Sequence, residues 1–177
     1  FGAVKANAWW SSSLMPVIFL ASAIVSGIAA LILLYRFSCW WRGVAVEVTC
    51  LRALARYLWL FLVVAVTLEG LELLQMAYEA GGEWPMIYAL LTKHLSISYG
   101  VVQILIGSIL PLVLLLPSFY SRLSSRSLSA LAGLASLLIL VQVFAMRWNV
   151  IVGGQLLSKS FRGFTEYPLY WSGREGV

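Results

Sequence analysis

The sequence predicts an all-α integral membrane protein, a four-helix transmembrane bundle. Three observations carry that prediction. Hydrophobic residues make up 62% of the 177-residue chain and charged residues only 11%. The mean hydropathy is +0.92. The apolar residues are gathered into four runs, each long enough to cross a bilayer. A soluble domain of this length needs a far more charged surface, so the apolar side chains must face lipid as well as one another.

A hydrocarbon core about 30 Å thick takes roughly 20 residues of helix at 1.5 Å each. The four runs cover about 14–35, 58–78, 97–116 and 128–152, with an extramembrane tail over 153–177. Helices are the open-chain structure that satisfies every backbone polar group inside lipid. The runs are also too long and too little alternating for barrel strands. In the first run Pro16 falls in the opening helical turn, where its missing N–H costs nothing. In the third, Pro111 stands four residues beyond Gly107 and predicts a kink. Small residues (Ser22, Ser26, Gly27 and Ala30 in the first run, Gly133 and Ser136 in the fourth) let helix backbones approach closely. Gln103 and Gln142, inside the third and fourth runs, are expected to make interhelical hydrogen bonds.

The net charge of +5, from 12 basic and 7 acidic residues, reports topology rather than nucleic acid, because the basic residues lie mainly between the runs. Four spans put residues 1–13, 79–96 and the tail on one face, A, and 36–57 and 117–127 on the other, B. Face B carries Arg36, Arg42, Arg52, Arg56, Arg122 and Arg126. Face A carries Lys5, Lys93, Arg147, Lys159, Arg162 and Arg174. Arg174 is remote from its span and Arg147 lies inside one, so the bias leans to a cytoplasmic 36–57 connection. Trp9, Trp10, Trp40, Trp41, Trp84 and Trp148 flank the runs as an interfacial aromatic belt. The chain begins at Phe1 without a signal peptide and ends in Gly173-Arg174-Glu175-Gly176-Val177, so it is expected to be a fragment of a longer chain.

Few residues can carry chemistry. Glu69 and Glu72 sit three apart in Leu68-Glu69-Gly70-Leu71-Glu72 and share a helix face. Glu69 falls about 13 Å below Tyr78 at 1.5 Å per residue. An ionisable group at that depth faces protein, a cavity or a counter-charge. Arg147 has a matching depth from face A, which predicts a Glu69–Arg147 or Glu72–Arg147 pair. Such a pair could be a static ion pair, a proton relay or a polar quinone-headgroup site; both groups could instead snorkel to the interface. His94, beside Lys93, is either an exposed loop residue or part of the mouth of that region. A single histidine cannot supply both axial ligands of a membrane haem. Cys39 and Cys50 have no metal-ligand spacing. No GxGxxG, Walker, HExxH, GxSxG or CxxC motif occurs, so no self-contained catalytic constellation is expected.

Two segments carry a family resemblance: Ala8-Trp9-Trp10-Ser11-Ser12-Ser13-Leu14-Met15-Pro16-Val17-Ile18-Phe19-Leu20-Ala21-Ser22-Ala23 followed by Ser26-Gly27, and Met146-Arg147-Trp148-Asn149-Val150-Ile151-Val152-Gly153-Gly154-Gln155. Together they resemble the NrfD/PsrC-type family, the membrane subunits of polysulfide reductase and related respiratory complexes. The resemblance implies a subunit of eight to ten helices in two bundles, of which this chain looks like the second. It implies electron exchange between the quinone pool, menaquinone or ubiquinone, and a ferredoxin-like iron–sulfur subunit, with a molybdopterin or cytochrome subunit beyond it. It implies no haem or metal in the chain, a place in the prokaryotic cytoplasmic (inner) membrane, and an extracytoplasmic end carrying Trp9, Trp10 and Arg147. The quinone site of polysulfide reductase lies mostly on the first bundle, so its residues cannot be carried over. Some relatives are proposed to translocate protons, which makes Glu69, Glu72, Arg147 and His94 the candidates for a proton relay or quinone site; only Arg147 lies inside a matched motif. The expected role is a non-catalytic or quinone-reactive anchor subunit of an oxidoreductase complex. The rival readings are a polytopic transporter or proton channel without a redox role, and a purely structural anchor.

Overall fold

The computed structural model describes residues 14–79, 88, 96–119 and 124–156. Within them the chain forms four helices long and apolar enough to cross a membrane, and no strand occurs among the described residues. Helix α1 is Met15–Arg42 and α2 is Val48–Glu79. The third helix, α3, is continuous but changes winding: a π-helix over Ser96–Ile109, an α-helix over Leu110–Leu115 and a 3-10 turn over Leu116–Phe119. Helix α4 is Ser125–Leu156.

The helices outrun the apolar stretches at the B end. Residues 36–57 are mostly helical, and the connection proper is only Gly43–Glu47. Gly43 stops α1 because its φ of 66° is left-handed. Its N–H reaches the Trp40 carbonyl at 3.2 Å, and the Val44 N–H reaches the Cys39 carbonyl at 3.0 Å. Together they close a Schellman cap that satisfies otherwise orphaned carbonyls. The Tyr35 hydroxyl accepts the Glu47 N–H at 3.1 Å and ties the end of α1 to the start of α2. At the A end Pro16 sits in the first turn of α1, where no donor is needed.

Cross-helix contacts fix an up-down-up-down bundle. Arg56 and Trp59 of α2 meet Ser118 and Leu112 of α3, while Glu69 meets Gln103. Residue numbers rise on one helix as they fall on its neighbour, so the pair is antiparallel. The same inversion relates Gln103 and Asn149 to Gly107 and Gln142 across α3 and α4. It also relates Phe19 and Arg147 to Arg36 and Gly133 across α1 and α4. The most extensive contacts are those of α4 with the π-helical part of α3 and with α1.

Prolines shape the B end of α3. Pro117 offers no N–H to the Val113 carbonyl, so the Leu116 N–H tightens onto that carbonyl instead. The Leu112 carbonyl is then left over, and the Trp59 indole N–H takes it at 3.1 Å. The Arg56 guanidinium donates to the last carbonyls, Ser118 at 3.2 Å and Phe119 at 3.4 Å, and lies 5.7 Å from the Phe119 ring centroid. In lipid such side-chain donors stand in for water at a helix end. Pro111, where a kink was expected, is the second residue of the α-helical segment, just past the change from π to α winding.

The interior divides into two layers. From Glu69 toward the B end it is apolar: Leu58, Leu62 and Ala65 of α2 pack with Ala135 and Ile139 of α4 and with Ile32 of α1. Outward-facing residues such as Leu20, Leu34, Leu74 and Phe144 are exposed and suit a lipid surface. Trp40 and Trp41, exposed at the end of α1, fit the expected aromatic belt.

Two glycines mark close approaches of different kinds. A Cβ at Gly107 would overlap Cβ and Cγ of Gln142, while a Cβ at Gly133 would meet the tip of the Arg36 guanidinium. The first clash involves the base of a packed side chain, the second the far end of a long one. Gly107→Ala is therefore expected to cost about 1–3 kcal/mol, as overpacked sites do. Gly133→Ala should leave stability nearly unchanged. Thermal unfolding in detergent, followed by circular dichroism, checks the contrast.

Candidate functional site: a carboxylate held by two amides

Glu69 points into the bundle, at the boundary between the apolar layer and the A end. Its two oxygens take one donor each. Gln103 Nε2 of α3 donates to Oε2 at 3.2 Å, and Gln142 Nε2 of α4 donates to Oε1 at 3.1 Å. Asn149 Nδ2 of α4 in turn donates to Gln103 Oε1 at 2.9 Å. That last bond fixes which way the Gln103 amide faces. With its oxygen engaged by Asn149, its nitrogen must turn to Glu69. Gln103 and Gln142 are each 3% exposed and Asn149 1%, so all three amides are withdrawn from lipid. The bonds expected of Gln103 and Gln142 are thus present, and both converge on one carboxylate.

Local backbone makes this possible. Gly107, without a side chain, lets the stem of Gln142 lie against α3. The wider π winding carries Tyr99 and Gln103 on one segment. The Ser108 hydroxyl donates to the Gln103 carbonyl, five residues back, at 3.0 Å, which matches that winding.

Beside the carboxylate lies a small cleft of about 30 Å³. Glu69, Glu72, Tyr99, Gln103 and Asn149 give it a polar lining, and Met15, Ile18 and Met146 add apolar walls. Its volume holds roughly two or three waters, since a single water needs about 10–15 Å³ on this measure. Glu72, one helical turn nearer the A end, is half-buried. A carboxylate, a phenol, amides and room for water can hold a proton and pass it on.

Arg147 stands elsewhere. Its side chain is exposed, with the guanidinium 5.9 Å from the Phe19 ring centroid, a cation–π contact between α4 and α1. Among the described residues it pairs with neither Glu69 nor Glu72, so the expected ion pair does not form. The reason is angular. Gln142, Met146, Asn149 and Val150 recur at four- and three-residue steps and face inward. Residue 147 is turned away from that stripe toward α1. His94 falls outside the described residues, as do Lys93, Trp84, Trp9 and Trp10. Asn149 was visible only as part of a motif. Its spacing of seven from Gln142, two full turns, was the available signal that both share a face.

The fold and this centre define a polytopic α-helical membrane protein with one buried polar cluster among its described residues. The sequence profile of the family "Polysulphide reductase, NrfD" matches residues 1–158, and the chain belongs to that family. It is also similar to a subunit of selenate reductase from Mesobacillus selenatarsenatis, 32% identical over 155 residues, covering 86% of this chain and 34% of that protein. The chain thus spans about a third of the length of that curated relative. No solved structure gives a significant match.

The hydrogen-bond pattern makes a quantitative expectation. Replacing Glu69 or Gln142 singly with Leu strands a buried polar partner; replacing both removes donor and acceptor together. A double-mutant cycle on thermal stability should give a coupling of roughly 0.5–3 kcal/mol. The same cycle between Glu69→Gln and Arg147→Gln should be additive.

Proposed function

We propose that the chain is part of the membrane subunit of a respiratory reductase complex. That subunit exchanges electrons between the quinone pool and an iron–sulfur partner, and Glu69 handles protons of the reaction. Family membership and the similarity to a selenate reductase subunit support the redox setting. The observation that carries the role of Glu69 is a carboxylate inside a membrane span, held by two buried amides beside a water-sized cleft. Transferring electrons to or from a quinone takes up or releases protons, so a membrane subunit serving that reaction needs groups that titrate within the bilayer.

The same cleft favours proton handling over headgroup binding at this position. An engineered cavity that accepts a benzene ring measures about 150 Å³, against about 30 Å³ beside Glu69. A quinone ring does not fit among these residues. In this reading the quinone and the iron–sulfur partner meet the complex on another part of the longer protein. Glu72 and Tyr99 are the further relay candidates lining the cleft, and Arg147 serves to hold α1 against α4. The membrane is the prokaryotic cytoplasmic membrane, with the Gly43–Glu47 connection in the cytoplasm.

Glu69→Gln keeps the shape and one acceptor but cannot titrate. Quinol oxidation per assembled complex, measured across pH, should fall by on the order of tenfold or more, with a flattened pH profile. An unchanged rate and profile would make Glu69 structural. Cys50 is exposed near the B end. A membrane-impermeant thiol reagent should reach it in inside-out vesicles and not in intact cells; the opposite result reverses the topology.

A further inference from the structure

We infer that Glu69 is open to the A end of the bundle only, so that protons enter and leave it through the cleft and not through the B half. The inference rests on the proton-handling reading of Glu69 and adds a direction to it.

The two sides of Glu69 differ in kind. The A end is where α1 and α3 begin and α2 and α4 finish, and every residue lining the cleft belongs to that side. Met15 and Ile18 open α1, Tyr99 stands near the start of α3, and Asn149 and Val150 are near the end of α4. Beyond Glu69 along α2, Glu72 and Leu73 lead the same way. The titratable groups lining the cleft with Glu69 are Glu72 from its own helix and Tyr99 from α3. Helices α1 and α4 contribute none to it.

Toward the B end the packing is close and apolar. Ala65, Leu62, Leu58, Ala55 and Leu51 follow one another down α2, each 6% exposed or less. They meet Ile139 and Ala135 of α4 and Ile32 of α1 in the same cluster. From Ala65 to Leu51 is fourteen residues, about 21 Å of helix. A charge moving through such a layer would leave every polar partner behind, which costs several kcal/mol in apolar surroundings. Among the described residues of this layer, two buried side-chain polar atoms lack a hydrogen-bond partner: Arg52 Nε, at the B edge beside Leu51, and Ser136 Oγ within the layer. A lone hydroxyl does not bridge about 21 Å of hydrocarbon, but it marks the place where water would enter if the layer leaked. The cleft offers water-sized space on one side of the carboxylate, and the layer seals the other.

Accessibility of single thiols to silver ion, which is close to water in size, tests this in the assembled complex. Cys39 and Cys50 are first replaced by Ser. Ile18→Cys and Val150→Cys then probe the cleft, and Ser136→Cys and Ile139→Cys probe the layer. Silver ion is added to one side of sealed vesicles of known orientation, and the loss of free thiol is read. The expected result is loss at the cleft positions from the A side alone, with the layer positions protected from both sides. Two probes per layer cover a variant that fails to assemble. Loss at Ser136→Cys or Ile139→Cys from the B side, or protection of both cleft positions from the A side, overturns the inference. The thiol readout does not depend on turnover. If Glu69→Gln left the pH profile unchanged while labelling stayed one-sided, the proton-handling reading would fail and the one-sided access would stand.

Discussion

A carboxylate inside hydrocarbon must find its hydrogen-bond donors within the protein, because lipid supplies none. Glu69 imposes that constraint on this bundle. Its two oxygens draw an amide from α3 and an amide from α4 to the same level of α2, so one charged residue sets the relative height of three helices. Asn149 then locks the Gln103 amide in the orientation the carboxylate needs. Apolar packing alone would fix these helices less firmly, since lipid tails are as favourable a surrounding for leucine as another helix is.

The backbone is fitted around that requirement. Gly107 brings α3 and α4 close enough for Gln142 to reach across, and the π winding of Ser96–Ile109 carries Tyr99 and Gln103 to the polar layer. At the opposite end, Pro117 breaks the regular ladder and frees a carbonyl that the Trp59 indole N–H takes up, while Arg56 covers the last ones. The B half is therefore held by side-chain caps and dry packing, and the A half by a polar network with room for water. That asymmetry gives the half-buried carboxylate a direction.

Much of the fold was legible in the sequence, because four long apolar runs have one structural solution in a bilayer. Their ends were less so. Helix α1 continues to Arg42 and α2 starts at Val48, since helical hydrogen bonding does not stop where apolar character does. Gly43 was the sequence mark of the true turn. The π winding of Ser96–Ile109 had no such mark, since an apolar run long enough to span a bilayer specifies a helix but not its winding. Glu69 was visible as a charge in a span, and Gln103 and Gln142 as interhelical donors. The pairing of Arg147 with Glu69 or Glu72 follows from depth alone, and depth does not specify the side of a helix. The inward stripe Gln142, Met146, Asn149 and Val150 excludes position 147 and includes Asn149, which is a statement about angle.

A proton-handling Glu69 must change its protonation during turnover, whereas a fixed strut would not. Redox-induced infrared difference spectroscopy on the assembled complex reads this directly, through the carbonyl stretch of a protonated carboxyl group. Proton handling by Glu69 predicts a carboxyl band that appears or shifts when the quinone is reduced and that is lost in Glu69→Gln. A wild-type difference spectrum without such a band, or one that Glu69→Gln leaves unaltered, would contradict it.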